Sequence, residues 1–469
     1  MTNTLCPTSL SPMASTLSPE QADALARFCA GRNLFVTGPG GTGKTKLIEH
    51  MVAWCRAQGK VVQVCAMTGC AAALLPASCE ARTLHSWSGI KLAKGPASRV
   101  VDSVVRSRTA SPTWRKTKVL IVDEVSMMSC KIFDILDDIG RAARKNPLFA
   151  FGGIQVVMVG DFYQLPPIID DDGGGDGGAS GGGGQFCFES KRWNSAFTRE
   201  NHVELRTIFR QTDPLYKSIL MQIREGRLSS ENARILQGRV GLVFDSEANH
   251  GVVPPKLFPT RIKTDMLNKT MYDRLAGDER VFVCERKVDC VTFLENNKAI
   301  GLDVLAKCGS LSAEERDQEL QTLVTAPRIK LKVGCIVMCT VNMPLKGVCN
   351  GSQGVVTGFE SGSGWPLVKV STGVVLPMGL HYKQHEDYPA LAVGAIPLML
   401  SWAMTIHKIQ GATLAMAEMD VGGAIFECGQ TYVALSRVQS LEGLYLTAFK
   451  PERIFVHEKV RAFYDSLIK

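Results

Sequence analysis

The stretch LFVTGPGGTGKTK, Leu34 to Lys46, decides the fold. Leu34-Phe35-Val36-Thr37 is a short apolar, β-favouring run and reads as a buried strand. It runs into Gly38-Pro39-Gly40-Gly41-Thr42-Gly43-Lys44-Thr45, which is followed by the helix-like LIEHMVAWCRAQ. Gly-x-x-x-x-Gly-Lys-Thr between a strand and a helix is the context in which this spacing marks a phosphate-binding loop. The glycines let successive N–H groups turn inward, and the helix N-terminus adds the positive end of its dipole. Lys44 would then reach the β- and γ-phosphates of ATP, and the Thr45 hydroxyl would hold Mg²⁺. The alternative is a Gly-rich turn that binds nothing, and the flanking strand and helix weigh against it.

A chain of 469 residues has room for two to four domains. Its 45% hydrophobic and 21% charged residues are those of an ordinary soluble globular protein, and a formal charge of +8 permits a polyanionic partner without requiring one. The 15 cysteines lack paired spacings, and Cys65, Cys284, Cys335 and Cys339 sit in apolar runs. Buried thiols in a reducing, intracellular compartment explain them better than disulfides or zinc. That compartment is the nucleus in a eukaryotic host, with the mitochondrion as the alternative. Residues 1–16, rich in Ser, Thr and Pro, are expected to be a disordered lead-in rather than a targeting signal. Pro389 to Ile406 carries no charge but contains two prolines and a glycine, which suits a buried strand pair and not a membrane span.

Ser18 and Pro19 make a helix start, and Gln21 behind them either reads the edge of adenine or is an exposed first-turn glutamine. Lys60 to Met67 reads as the second strand, opening into the small residues Thr68, Gly69, Cys70 and Ala71, where another backbone can approach closely. Arg82 to Gly89 reads as a packed loop with polar donors around Trp87. Lys91 to Lys118, basic with the single acid Asp102, is either a solvated face or a phosphate-backbone contact. Val119 to Val122 is a strand ending in Asp123 and Glu124, which places carboxylates beside the phosphate loop. Asp123 would serve the Mg²⁺ shell, and Glu124 would deprotonate the attacking water. Ile154 to Val159 is a further strand, and Gln164 beyond it is placed to sense the γ-phosphate. Asp170 to Gly184, rich in Gly and Asp, reads as a flexible surface insertion. Arg210 is by itself an ordinary arginine. Lys256 to Leu275 reads as strand, turn and helix, and Leu331 to Lys369 as short strands suiting a small β-barrel.

Taken together, the motifs GPGGTGKT, TGCAAALL, ARTLHSW, IVDEVSM, FGGIQVVMVGDFYQLPP, LRTIFRQ, SWAMTIHKIQG and GQTYVALSRV stand in one order from Leu17 to Leu446. In this the chain resembles the PIF (petite integration frequency) family of DNA helicases, superfamily 1B, close to RecD-like enzymes. The resemblance implies an α/β fold of two RecA-like domains, parallel sheets flanked by helices, with a 1B insertion and an SH3-like β-barrel 2B insertion. On that pattern domain 1A takes residues 17–66 and 118–204, 1B takes 67–117, 2A takes 205–324 and 391–469, and 2B takes 325–390.

The resemblance also implies roles. Gln21 is the adenine reader, and Gly38, Gly40, Gly41, Thr42, Gly43, Lys44, Thr45 and Gly411 bind the nucleotide. Thr45 and Asp123 serve the metal, Glu124 is the base, Gln164 the sensor, and Arg210 and Arg437 the arginine fingers. Thr68, Gly69, Thr83, His85, Thr405, His407 and Lys408 fall in motifs that track single-stranded DNA. Ile409 stands where the family pattern has Ser, which removes one hydroxyl contact. The implied activity is a monomeric, ATP- and Mg²⁺-dependent 5′→3′ DNA helicase. It would work on single strands and single/double-strand junctions in repair and recombination, with no membrane partner. A non-unwinding translocase, a RecD-like subunit of a larger complex, or an RNA helicase are the alternatives.

Overall fold

The computed structural model describes residues 17–91, 93, 95–167, 185–244, 254–288, 311–324, 327–341, 343, 348, 352–370, 373–385, 388 and 390–468. The expected lead-in at 1–16 and the Gly/Asp-rich run at 170–184 lie outside these residues. The chain forms two compact units, one running to Thr260 and resuming at Thr405, the other Arg261–Met404.

The first unit is built on six parallel strands: β1 (Leu34–Thr37), β2 (Val62–Ala66), β3 (Arg82–Thr83), β4 (Val119–Asp123), β5 (Gln155–Val159) and β6 (His202–Glu204), in the order β3-β2-β4-β5-β1-β6. Every residue of β1 and β4 is buried, as befits strands covered on both faces. Successive side chains alternate between the two cores. Leu34 and Val36 pack with Phe28, Leu47, Ile48 and Met51 of helices Pro19–Cys29 and Lys44–Ala57, whereas Phe35 packs with Phe133 and Leu136 of helix Cys130–Ala143. Because β1, β4 and β5 are neighbours, the segments leaving their C-terminal ends share one edge of the sheet, where parallel sheets hold their ligands.

Three local expectations change. The second strand is shorter than the stretch 60–67. Arg82 to Gly89, read as a loop, is the edge strand β3 followed by helix Leu84–Ser88, which Thr83 caps. The basic stretch is not simply a solvated face. It folds into helices Ala97–Arg106 and Ala110–Lys116, and Val104 and Trp114 of these enter the core. The Trp114 indole donates to Ser88 O at 3.0 Å.

A second parallel sheet in the same unit joins Lys256–Phe258, Ala417–Val421 and Leu444–Phe449. Helices Pro214–Arg224 and Gln430–Leu435 pack together beside it, with Tyr216 Oη donating to Leu435 O at 2.8 Å. Helix Glu458–Ile468 does not stay with this sheet, since Val460 and Tyr464 enter the core of the first.

The second unit contains helix Arg261–Arg274 and a five-stranded antiparallel sheet. Its strands run Val375–Pro377, Pro366–Val370, Gln353–Phe359, Ile336–Cys339 and Leu398–Leu400, so that the last strand falls outside the expected 325–390. Within 390–406 the expected strand pair is three short strands, Ala392–Ala395, Leu398–Leu400 and Ala403–Thr405. Cys55, Cys79, Cys187, Cys335 and Cys428 are buried free thiols, and Cys65 and Cys339 are buried as well. Among the described residues there is no metal-ligating cluster, and no helix is long and apolar enough to cross a membrane.

Candidate nucleotide site

Between β1 and helix Lys44–Ala57 the loop closes on itself. Thr42 Oγ1 donates to Pro39 O at 2.9 Å, and Lys44 Nζ donates to Gly38 O at 2.7 Å and Pro39 O at 2.9 Å. Two glycines are sterically required. Gly38 has φ +140°, and a Cβ there would lie 2.2 Å from Leu205 O. Gly43 has φ +77°, and a Cβ there would lie 2.5 Å from Gln21 Nε2. Gly38→Ala is expected to destabilise the protein by about 2–3 kcal/mol, seen as a lower urea midpoint at unchanged slope.

Gly40, Gly41, Gly43, Lys44, Thr45, Asp123, Glu124, Gln164, Arg210, Gly411 and Arg437 line a single cleft over this loop. Asp123, at the end of β4, accepts from Glu124 N at 2.9 Å, and burial beside the Glu124 charge pushes its carboxyl up to about 7. Glu124 itself sits at φ +55°, a left-handed conformation for a residue with a Cβ, and one that functional positions tolerate. Its Oε2 accepts from Gln410 Nε2 at 3.1 Å. Gln164 is 3% exposed, and its amide oxygen is buried with no hydrogen-bond partner.

The two arginines arrive from segments far apart in the sequence. Arg210 donates to Ser436 O at 3.1 Å and Gly411 O at 3.3 Å. Arg437 donates through Nε to Val433 O at 2.9 Å and through Nη2 to Ser436 Oγ at 2.9 Å. Gln211 ties the two segments together, donating to Ser436 O at 3.2 Å and Val438 O at 3.0 Å. Both guanidiniums converge on the loop, because a Cβ on Gly40 would lie 3.5 Å from Arg437 Nη2 and 3.6 Å from Arg210 Nη1. Burial, and then the Arg437 charge, push Arg210 down to about 9, while burial alone accounts for the lowering of Arg437. Burial likewise lowers Lys44 against the pull of Asp161, Glu124 and Asp123. Three desolvated cations around the Gly-rich loop fit a polyphosphate, whose charge offsets theirs. Asp123 and Thr45 fit a hard divalent cation, which keeps the aspartate ionised, and the unpartnered Gln164 oxygen fits a water beside it.

Gln21 is 1% exposed, which rules out the exposed-glutamine alternative. Its Oε1 accepts from Ser18 N at 2.9 Å, and its Nε2 donates to Thr42 O at 3.1 Å and Gly43 O at 3.2 Å. The amide braces the loop. Phe209, which no sequence pattern singled out, is 54% exposed, with its ring 3.7 Å from a Cβ built on Gly43. It offers a flat apolar face next to Gln21, and its only sequence signal was its place before Arg210. Tyr432 belongs to the polar cluster Gln430, Tyr432, Ser436 and Arg437 of the motif GQTYVALSRV, and its hydroxyl accepts from Gly40 N at 2.8 Å. Gln430 of the same cluster is a structural brace, donating to Pro259 O at 3.2 Å and accepting from Phe426 N at 3.2 Å.

The candidate strand-tracking residues fall into two groups. Thr68 and Thr83 cap short helices, accepting from Ala71 N at 3.1 Å and Ser86 N at 3.3 Å. A Cβ on Gly69 would lie 4.0 Å from Thr83 Cγ2, so the two motifs adjoin, with His85 half-buried one turn on. In the other group Thr405 is buried, Lys408 is exposed, and the half-buried His407 stacks on Phe426 with ring centroids 6.3 Å apart. A Cβ on Gly411 would lie 3.0 Å from Leu74 Cδ1, which places this segment beside helix Gly69–Leu74.

A parallel sheet with a phosphate loop, two acids at the end of β4 and two arginines converging on the loop define a P-loop nucleotide-binding protein of helicase architecture. Sequence comparison carries this further. The profile of the PIF1-like helicase family matches residues 16–234, and that of the DNA helicase Pif1 2B domain matches residues 320–359. The ATP-dependent DNA helicase PIF1 of Danio rerio is 32% identical over 473 residues, covering 98% of this chain and 65% of the relative. The crystal structure of Pif1 helicase from Candida albicans superposes with a TM-score of 0.76 at 31% identity, over 96% of this chain and 99% of that one. Pif1 helicase from Bacteroides, solved in complex with ADP-AlF3 and ssDNA, superposes with a TM-score of 0.64 at 25% identity over 96% of each chain. The chain belongs to the PIF1-like helicase family. It spans less than two thirds of the length of the Danio rerio relative.

Proposed function

We propose that the protein is an ATP-dependent DNA helicase that moves 5′→3′ along single-stranded DNA and opens duplexes ahead of it, in DNA repair and recombination. The observation that carries this reading is the convergence of Arg210 and Arg437 on the loop that holds Lys44. Hydrolysis then depends on how the segments around the second sheet sit over the first, which is what a motor requires. The family relatives bound to single-stranded DNA support the choice of polymer.

In this reading Lys44 holds the β- and γ-phosphates, and Thr45 and Asp123 hold Mg²⁺. The metal, when bound, neutralises charge on the phosphate oxygens. Gln164 orients the water, Glu124 takes its proton, and Arg210 and Arg437 bind the charge that develops on the transferred phosphoryl group. Gln21 and Phe209 flank the place of the base, one offering hydrogen bonds and the other a stacking face.

Strand separation on matched 5′-tailed and 3′-tailed duplexes, with ATP and Mg²⁺, tests this reading. Unwinding is expected from the 5′ tail only, and Lys44→Ala should lower ATP hydrolysis by about 10²-fold or more. Unwinding from the 3′ tail alone would sink the polarity. DNA-stimulated hydrolysis without strand separation would favour a translocase.

A further inference from the structure

Glu124, the water-activating carboxylate, is not held by its own sheet alone. Gln410 reaches it from a segment 286 positions away, donating Nε2 to Glu124 Oε2 at 3.1 Å. Gln410 is 5% exposed, and its other amide atom, Oε1, is buried without a hydrogen-bond partner. Such an orphaned acceptor costs stability, and the cleft keeps it. The next residue continues the contact. Gly411 lies at φ +85°, its carbonyl accepts from Arg210 Nη2 at 3.3 Å, and a Cβ on it would stand 3.7 Å from Glu124 Oε1. The preceding residues form the 3₁₀ turn Ile406–Ile409, whose Ile406 and Ile409 are buried while Lys408 points to solvent. One rigid turn therefore has Lys408 and the His407–Phe426 stack at its surface and a carboxamide on the catalytic base at its inner end.

We propose that Gln410 is a positioning residue that restrains Glu124 and links occupancy of the strand path at His407 and Lys408 to ATP hydrolysis. This rests on the helicase reading above. An N–H donor on a carboxylate oxygen occupies a lone pair that would otherwise accept the water's proton, and fixes the carboxylate's direction. A 3₁₀ turn rises about 2 Å per residue, so a phosphate drawn to Lys408 acts only about 4 Å along the axis from Gln410. Engagement of the strand shifts the turn and withdraws or re-aims the carboxamide. Glu124 is then free for the water, and the unpartnered Oε1 becomes a second acceptor beside it.

The test compares Gln410→Ala and Gln410→Met with the wild type in steady-state ATP hydrolysis, with and without single-stranded oligothymidylate, and measures oligonucleotide binding separately. Removing the donor should raise the DNA-free kcat and compress the stimulation by DNA about tenfold, with KM for ATP and the oligonucleotide Kd changed less than about threefold. An unchanged stimulation ratio in both Ala and Met variants would overturn the link. So would equal losses in both rates together with weakened KM and Kd, which indicate a structural prop only. A wild type whose hydrolysis ignores DNA would instead overturn the helicase reading itself.

Discussion

Arg437→Ala should lower kcat for ATP hydrolysis by about 10³-fold or more while leaving the fold and nucleotide affinity largely intact. Arg437 is buried and held by Val433 O and Ser436 Oγ, with its guanidinium beside the loop at Gly40. A donor preorganised in a water-poor cleft acts mainly on charge that develops in the transition state, which is why kcat falls more than KM rises. Arg437→Lys should not rescue the activity, since an ammonium lacks the planar fork that makes these contacts. The Arg210→Ala, Arg437→Ala double variant should be far less impaired than the product of the two single losses, because both groups serve one phosphoryl group. Rapid-quench single-turnover hydrolysis checks both statements. A loss below about tenfold for Arg437→Ala would remove it from the transition state.

The second large effect is on stability. Arg224→Ala should destabilise the protein by about 3–5 kcal/mol, because it leaves Asp161 buried and unpaired. Arg224 and Asp161 form a two-pronged pair, with both contacts at 2.9 Å and side chains 4% and 0% exposed. Burial works against the Arg224 charge, but Asp161 more than offsets it and holds the guanidinium above its usual range. The guanidinium lies 4.5 Å from the Tyr163 ring, which stacks on Tyr464 at 4.7 Å. Tyr464 Oη in turn meets Thr37 Oγ1 at 2.6 Å, Phe162 N at 3.1 Å and Asp161 Oδ1 at 3.3 Å. The pair thus ties helix Pro214–Arg224 and the C-terminal helix to the residue before the phosphate loop and to the sensor segment. Removing both charges, as in Arg224→Met with Asp161→Asn, should recover a good part of the loss in urea unfolding. Failure of Arg224→Ala to shift the midpoint would show that water or another group already serves Asp161.

Much of the site was legible in the sequence because its signals are local. Leu34 to Thr45 writes a strand, a turn that only glycines can take at Gly38 and Gly43, and a helix start into a dozen consecutive residues. Val119 to Glu124 does the same for a buried strand ending in acids. Arg82 to Gly89 reads as a loop from sequence, since two residues of edge strand and five of helix are too short for any period to register. The basic stretch 91–118 was legible as charge. Its apolar side at Val104 and Trp114 became visible only once something packed against it.

By itself, then, the sequence determined the phosphate loop, the acids beside it and the class of fold, because backbone conformation and strand burial follow from neighbouring residues. Only the tertiary structure decided which distant groups serve that loop. Tyr432 caps Gly40 from 392 positions away, Gln410 reaches Glu124 across 286, and Tyr464 reaches Thr37 across 427. Those contacts depend on the packing of one sheet's helices onto the other, a property of filled volume that no local spacing encodes.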